Sequence, residues 1–156
     1  MNLWKPPLST FKAMRLLSKL KLPAKLSNLR KFVELVSKCA EDLGLNSEKI
    51  TDIGVATEEA LVNICNYAYQ GETGEVKVSC ILDDENRFIV EIEDRGIPFD
   101  VQMLENPDLS PDIIEREVGG LGVFIIKELM DDYQYRREDD KNILRLINQI
   151  EVAVPT

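Results

Sequence analysis

Val76-Lys77-Val78-Ser79-Cys80-Ile81-Leu82-Asp83-Asp84-Glu85-Asn86-Arg87-Phe88-Ile89-Val90-Glu91-Ile92 carries the alternation from which the fold can be read. Val76, Val78, Cys80 and Leu82 share one side of its first half, and Phe88, Val90 and Ile92 share one side of its second. A period of two marks strands with one buried face, because successive side chains point to opposite sides of a pleated backbone. The polar run Asp83-Asp84-Glu85-Asn86 between them supplies the turn. The stretch predicts an antiparallel hairpin whose apolar side needs a second layer to cover it.

Upstream, the period changes. Leu29, Phe32, Val33, Val36, Ala40 and Leu43 recur at helical spacing, with Ser27 or Asn28 available as a cap and Gly44 as a stop. Asn46 or Ser47 can open a second helix whose inner side carries Ile50, Ile53, Ala60, Leu61, Ile64 and Ala68, with Gly71 and Gly74 at its exit. Further back, Met14, Leu16, Leu20 and Leu22 alternate with Arg15, Lys19 and Lys21, which predicts a strand with one solvated face, stopped by Pro23. Downstream of the hairpin comes the turn Asp94-Arg95-Gly96-Ile97-Pro98. Residues 100–118 follow, with Pro107, Pro111 and little periodicity. A loop of that length inside a compact domain is usually functional. Gly119-Gly120-Leu121-Gly122 opens a third helix, and two strands close the chain around Asp139-Asp140. The order β, α, α, β, β, loop, α, β, β predicts an α+β fold. It is a two-layer α/β sandwich with a mixed, mainly antiparallel sheet and helices on one face. Residues 1–13 read as a basic N-terminal arm, residues 14–150 as one domain and residues 151–156 as a tail.

Composition narrows the chemistry. The 156 residues include 28 acidic and 19 basic side chains, and no histidine. That excludes, within this chain, a Ser-His-Asp triad, a Cys-His pair, a His-ligated zinc and a phosphohistidine relay. The net charge of −9 argues against direct nucleic-acid binding, which needs a basic footprint. The first 31 residues nevertheless hold eight Lys or Arg and no acid, a run that reads as a solvated edge or as a docking surface for an acidic partner or membrane. Cys39, Cys65 and Cys80 fit no metal or CxxC spacing and read as small core residues in a reducing compartment. No apolar run approaches the ~18 residues that would suggest a transmembrane segment, and the expectation is a cytoplasmic protein.

Three places could carry chemistry. Glu59, Asn63 and Tyr67 stand at i, i+4 and i+8 of the second helix, on one face. An amide oxygen can hold a hard cation while a carboxylate one turn away takes a proton from a hydroxyl, although the same residues suit a solvated helix face. Asp94, at a strand end, can accept a hydrogen bond from an exocyclic amine, with Gly96 leaving room for a flat ring. A purely local turn would use the same two residues. Three glycines among residues 119–122 expose backbone N–H groups at a helix start, where phosphate binds well, although the same glycines suit a flexible hinge. Neither GxxxxGK[ST] nor GxGxxG is present there.

Together and in this order the three places are more specific than each alone. Ala56-Thr-Glu-Glu-Ala-Leu-Val-Asn63-Ile-Cys-Asn-Tyr-Ala-Tyr69, Glu93-Asp-Arg-Gly-Ile-Pro-Phe-Asp100 and Gly119-Gly-Leu-Gly-Val-Phe-Ile-Ile-Lys-Glu-Leu-Met-Asp131 resemble the gyrase/Hsp90/histidine-kinase/MutL ATPases. Within that superfamily the chain is most similar to the anti-sigma-factor serine kinases, over about residues 14–150. The resemblance implies a Bergerat-type ATP-binding fold, with ATP and Mg²⁺ as cofactors. It makes Asn63 the Mg²⁺ ligand and Glu59 the general base for a protein serine. Asp94 becomes the acceptor for the adenine amino group, with Gly96 beneath the ring. Residues 100–118 become a lid hinged at Gly119, Gly120 and Gly122, in which Arg116 is the candidate phosphate contact. Tyr67, Pro98 and Leu121 join the nucleotide-binding set. The implied substrate is a serine on a small anti-sigma-factor antagonist domain, the implied second partner is a sigma factor, and the implied assembly is a homodimer.

Two positions depart from the family pattern. Relatives often carry His where Tyr67 stands, and a phenol does not titrate near neutrality. Many carry a Gly-Thr pair entering the last strand, where this chain has Lys141-Asn142-Ile143-Leu144. The expected activity is that of an ATP- and Mg²⁺-dependent protein-serine kinase acting by partner switching. The alternative is a non-catalytic module that binds a sigma factor or another regulator and uses ATP only to set its shape.

Overall fold

The computed structural model of the chain describes residues 14–98 and 120–151. Strands β1 (Arg15–Pro23), β2 (Glu75–Leu82), β3 (Arg87–Asp94), β4 (Asp132–Glu138) and β5 (Lys141–Gln149) form one sheet in the order β1-β2-β3-β5-β4. Helices α1 (Leu29–Asp42), α2 (Ser47–Asn63) and α3 (Gly120–Leu129) cover one face of it. The expected two-layer architecture is present. The expected mixed sheet is not, because every strand pairing among the described residues is antiparallel.

The core lies between the layers. Phe32 and Val36 of α1, with Ile53, Ala56 and Leu61 of α2, meet Val76, Val78, Cys80, Phe88, Val90, Ile92 and Leu146 of the sheet, all essentially without solvent contact. These strand residues are the alternate positions of the hairpin and of β5, so the period of two locates the core directly. Cys39 and Cys80 are buried free thiols of this core, and burial pushes the Cys80 thiol well above its ordinary range. On the other face Ile81, Ile89 and Ile147 form a smaller cluster on which Met14 packs, beside the Glu91–Arg145 ion pair at 2.6 Å.

Local chemistry sets the joints. Asp83 holds the β2–β3 turn by accepting from the Glu85 and Arg87 N–H groups at 3.0 and 2.9 Å and from Arg87 Nε at 2.7 Å. Asp139 and Asp140 both have positive φ, 50° and 61°, the conformation of a two-residue hairpin turn whose twist matches its strands. Helix α1 ends with Gly44 N–H donating to Glu41 O and Leu45 N–H to Ala40 O, a paired closure that requires the left-handed φ of 81° at Gly44. Asn46 caps α2 by accepting from Lys49 N–H at 2.8 Å. Asn28 does not cap α1. Its amide donates instead to Pro23 O at 2.9 Å, and a 3₁₀ turn, Leu26–Asn28, leads into the helix.

Strand β1 and the second helix each differ from the sequence expectation. Leu16 was expected on the apolar side of β1 but is 53% exposed. The pairing register slips between Leu16 and Ser18, so Leu17 is an extra residue and packs on the core with Leu20 and Leu22. A bulge of this kind reverses the facing of everything before it. The second helix was expected to run on to Ala68; α2 ends at Asn63, and residues Ile64–Ala68 form a π-helical turn. No helix among the described residues is long and apolar enough to cross a membrane.

Leu61, fully buried in α2, and Leu16 give opposite stability outcomes. Leu61→Ala removes a core side chain and leaves a cavity, at a cost of about 2–5 kcal/mol in denaturant unfolding. Leu16→Ala should change stability by no more than about 0.5 kcal/mol. Comparable losses for the two would contradict the bulged register.

Candidate nucleotide-binding site

Glu59 and Asn63 lie one turn apart near the C-terminal end of α2, both half-buried, where the helix leaves the core side. Among the described residues Glu59 has no ion-pair partner. After Asn63 the backbone changes to the wider π turn. That change turns the following side chains away from the face an uninterrupted helix would give them. Tyr67 therefore does not continue the Glu59–Asn63 face at α-helical spacing, and it is 40% exposed.

The π turn docks on the exit of β3. Ala68 O accepts from Ile97 N–H at 2.9 Å. A Cβ at Gly96 would fall inside the van der Waals envelope of the Ala68 carbonyl and methyl groups. The π turn thus occupies the space beside Gly96, and this close approach of two backbone segments is one reason for a glycine there. Tyr69 adds a second tie. Its hydroxyl accepts from Arg95 N–H at 2.8 Å and donates to Glu75 O at 2.6 Å, while its ring fills the side of Gly74. Burial pushes the Tyr69 phenol up, so it stays a donor. Through these contacts one end of α2 is joined to the end of β3.

Asp94, the last residue of β3, is 5% exposed. Its Oδ1 accepts from Gly96 N–H at 2.8 Å and from Asn142 Nδ2 at 2.9 Å. Among the described residues nothing donates to its other oxygen. Asn142 faces Asp94 across the β3–β5 pair. Its Nδ2 also donates to Ile97 O at 2.8 Å, and its Oδ1 accepts from Tyr135 Oη at 2.5 Å and Arg137 Nη1 at 3.0 Å. Arg137 Nη1 reaches Gly96 O as well, at 2.9 Å. Burial pushes the Asp94 carboxyl above its ordinary range, and the bonds from Asn142 and Gly96 with the nearby Arg137 charge oppose that shift. The result is a recessed carboxylate with one oxygen fixed and the other available to an N–H donor.

The site residues expected from the sequence are thus brought into two joined groups. Glu59 and Asn63 form one, Asp94 and Gly96 the other, with exposed Pro98 just beyond. Gly120, Leu121 and Gly122 occupy the first turn of α3, which packs against α2. Arg116, Gly119 and the expected lid over residues 100–118 lie outside the described residues. For the expected cation, the amide oxygen of Asn63 suits Mg²⁺, which typically takes one or two protein oxygens together with substrate phosphates. Asn142, Tyr135, Arg137 and Tyr69 were not anticipated as site residues. A signal for Asn142 existed, since it stands at an inward position of β5 in line with Leu144 and Leu146.

The chain is similar to known proteins over most of its length. The family model for the histidine kinase-like ATPase domain matches residues 22–148. The serine-protein kinase RsbW of Bacillus thuringiensis is 30% identical over 129 residues, covering 80% of this chain and 80% of the relative. The protein of the same name from Listeria monocytogenes is 30% identical over 140 residues, covering 85% and 88%. Among solved structures, one containing the RsbU and RsbW domains of a Mycobacterium tuberculosis protein superposes with a TM-score of 0.58 at 15% identity. It covers 85% of this chain, which spans 32% of that longer one, and the likeness is one of fold.

Asp94→Asn preserves both hydrogen bonds to Oδ1 and removes a buried charge. An acid whose pKa is raised on folding gives stability that is present below its unfolded pKa and lost as pH rises through the folded one. Without nucleotide, Asp94→Asn should therefore gain stability relative to the parent as pH rises from the acid range to 7. Paired thermal melts across that range check the sign. A parent that gains on the variant with rising pH would contradict it.

Proposed function

The chain belongs to the histidine kinase-like ATPase family, and from that membership we propose how its residues divide the work of an ATP-dependent protein-serine kinase. The observation that carries the reading is the joining of Glu59 and Asn63, through the π turn, to the recessed Asp94. Asp94 accepts the adenine amine, an interaction that a base with a 6-oxo group cannot make. Asn63 would hold Mg²⁺, which when bound would offset phosphate charge. Gly120 and Gly122 present helix N-terminal N–H groups to the same phosphates. Arg116, Gly119, Leu121, Tyr67 and Pro98 belong to the proposed nucleotide-binding set, and residues 100–118 to the proposed lid.

Glu59 takes the proton from a protein serine hydroxyl while that oxygen bonds to the γ-phosphorus and the bond to the ADP leaving group breaks. The protein substrate we propose is a small anti-sigma-factor antagonist domain. The sigma factor is the alternative partner, held when the antagonist is phosphorylated. The working unit is a cytoplasmic homodimer, with residues 14–150 as the kinase domain, residues 1–13 as a basic solvated arm and residues 151–156 as a tail.

Incubation with γ-labelled ATP, Mg²⁺ and a candidate antagonist domain tests the activity. Label on an antagonist serine is expected; ATP binding without label on any antagonist tried would favour the non-catalytic module. Glu59→Ala should bind ATP as the parent does and transfer phosphate about 10²–10⁴-fold more slowly. Undiminished transfer would remove Glu59 as the base.

A further inference from the structure

The bonds around Asn142 assign it a part in base selection. We propose that Asn142, oriented by Tyr135 and Arg137, is a positioning residue that fixes which Asp94 oxygen faces the nucleotide base, and so sets the preference for a 6-amino over a 6-oxo purine. This rests on the reading of Asp94 as the base acceptor.

An Asn amide has two N–H donors and one oxygen with two acceptor sites. Here all four are used: the donors reach Asp94 Oδ1 and Ile97 O, with a longer contact to Gly96 O at 3.4 Å, and the oxygen takes Tyr135 Oη and Arg137 Nη1. Arg137 can only donate, and Asp94 Oδ1 and Ile97 O can only accept, so the amide cannot turn over without setting its NH₂ against a guanidinium and its oxygen against a carboxylate and a carbonyl. The orientation is determined by the network. With the amide fixed, Asn142 and the Gly96 N–H converge on the same Asp94 oxygen, at 2.9 and 2.8 Å. Among the described residues the second oxygen has no donor, which leaves it as the acceptor. Asn142 also grips Ile97 O and Arg137 grips Gly96 O, so the turn that forms the floor of the site is held to β4 and β5.

Loss of this brace lets the Asp94 carboxylate rotate and share its acceptors with the turn. Discrimination between bases depends on that geometry, while a general loosening of the fold would weaken all nucleotides alike. The ratio of ATP to inosine triphosphate affinity therefore separates positioning from mere support.

Asn142→Leu and Tyr135→Phe should each lower the ATP-over-inosine-triphosphate preference, by about tenfold for the first and severalfold for the second. Tyr135→Phe keeps the ring and guards against a variant that fails to fold. A third variant, Asp94→Asn, should reverse the preference, because Oδ1 stays anchored and its new NH₂ points at the 6-oxo group. Adding Asn142→Leu to it should blunt the reversal. Equilibrium binding of both nucleotides to the full chain, with melts to confirm folding, gives the result. If Asn142→Leu and Tyr135→Phe keep the parent's ratio, or weaken both nucleotides equally, while Asp94→Asn changes it, the positioning role is overturned and the base site stands. If Asp94→Asn leaves the ratio unchanged, the base site fails and this inference fails with it.

Discussion

A carboxylate buried at the end of a strand must find hydrogen bonds, and much of the site follows from how Asp94 finds them. An ionised group removed from water without partners costs several kcal/mol, at about the level that unfolds a small domain. Among the described residues Asp94 meets that demand on one oxygen only, from a turn N–H and a cross-strand amide. Each of those donors is in turn tied down, the first by the packing of Gly96 on Ala68 and the second by Tyr135 and Arg137. A carboxylate satisfied on one side and open on the other is a directional acceptor, and direction is what base recognition needs.

The π turn gives the second half of the site its place. A regular helix through residue 68 would carry its last turn along the α2 axis. Widening after Asn63 lets the chain swing to the β3 exit, where Ala68 O meets Ile97 N–H. Such turns forgo regular helical geometry, and they recur where a helix must present a side chain and then leave its axis. Here the side chain is Asn63, half-buried at the point of change, with Glu59 one turn before it. The residues proposed for phosphate and proton chemistry are thereby linked to the base acceptor through a few short backbone contacts.

Much of this was legible in the sequence, and the remainder was hidden for physical reasons. The hairpin, the helix caps at Gly44 and Asn46 and the two-layer architecture follow from periodicity and turn chemistry, which are local signals. Glu59, Asn63, Asp94 and the glycines at the start of α3 were legible as a set because their order resembles a known family. The bulge at Leu17 was not, since one inserted residue in a leucine-rich strand leaves the composition unchanged while reversing its facing. The π turn was not, because residues 64–68 suit an α-helix equally well, and tertiary docking on Gly96 decides between the two. The Asn142 network joins three strands through side chains that are up to 48 residues apart in sequence, and only the register of β3 on β5 brings them together.

The central claim is that one nucleotide spans both joined groups, base at Asp94 and phosphates at Asn63. A crystal structure of the chain with Mg²⁺ and a non-hydrolysable ATP analogue measures this directly. The expected result is the adenine amine within hydrogen-bond distance of the Asp94 oxygen that Asn142 leaves open, the metal on Asn63, and the Glu59 carboxylate facing the γ-phosphate. An adenine bound away from Asp94, or phosphates remote from Asn63 and Glu59, would contradict it.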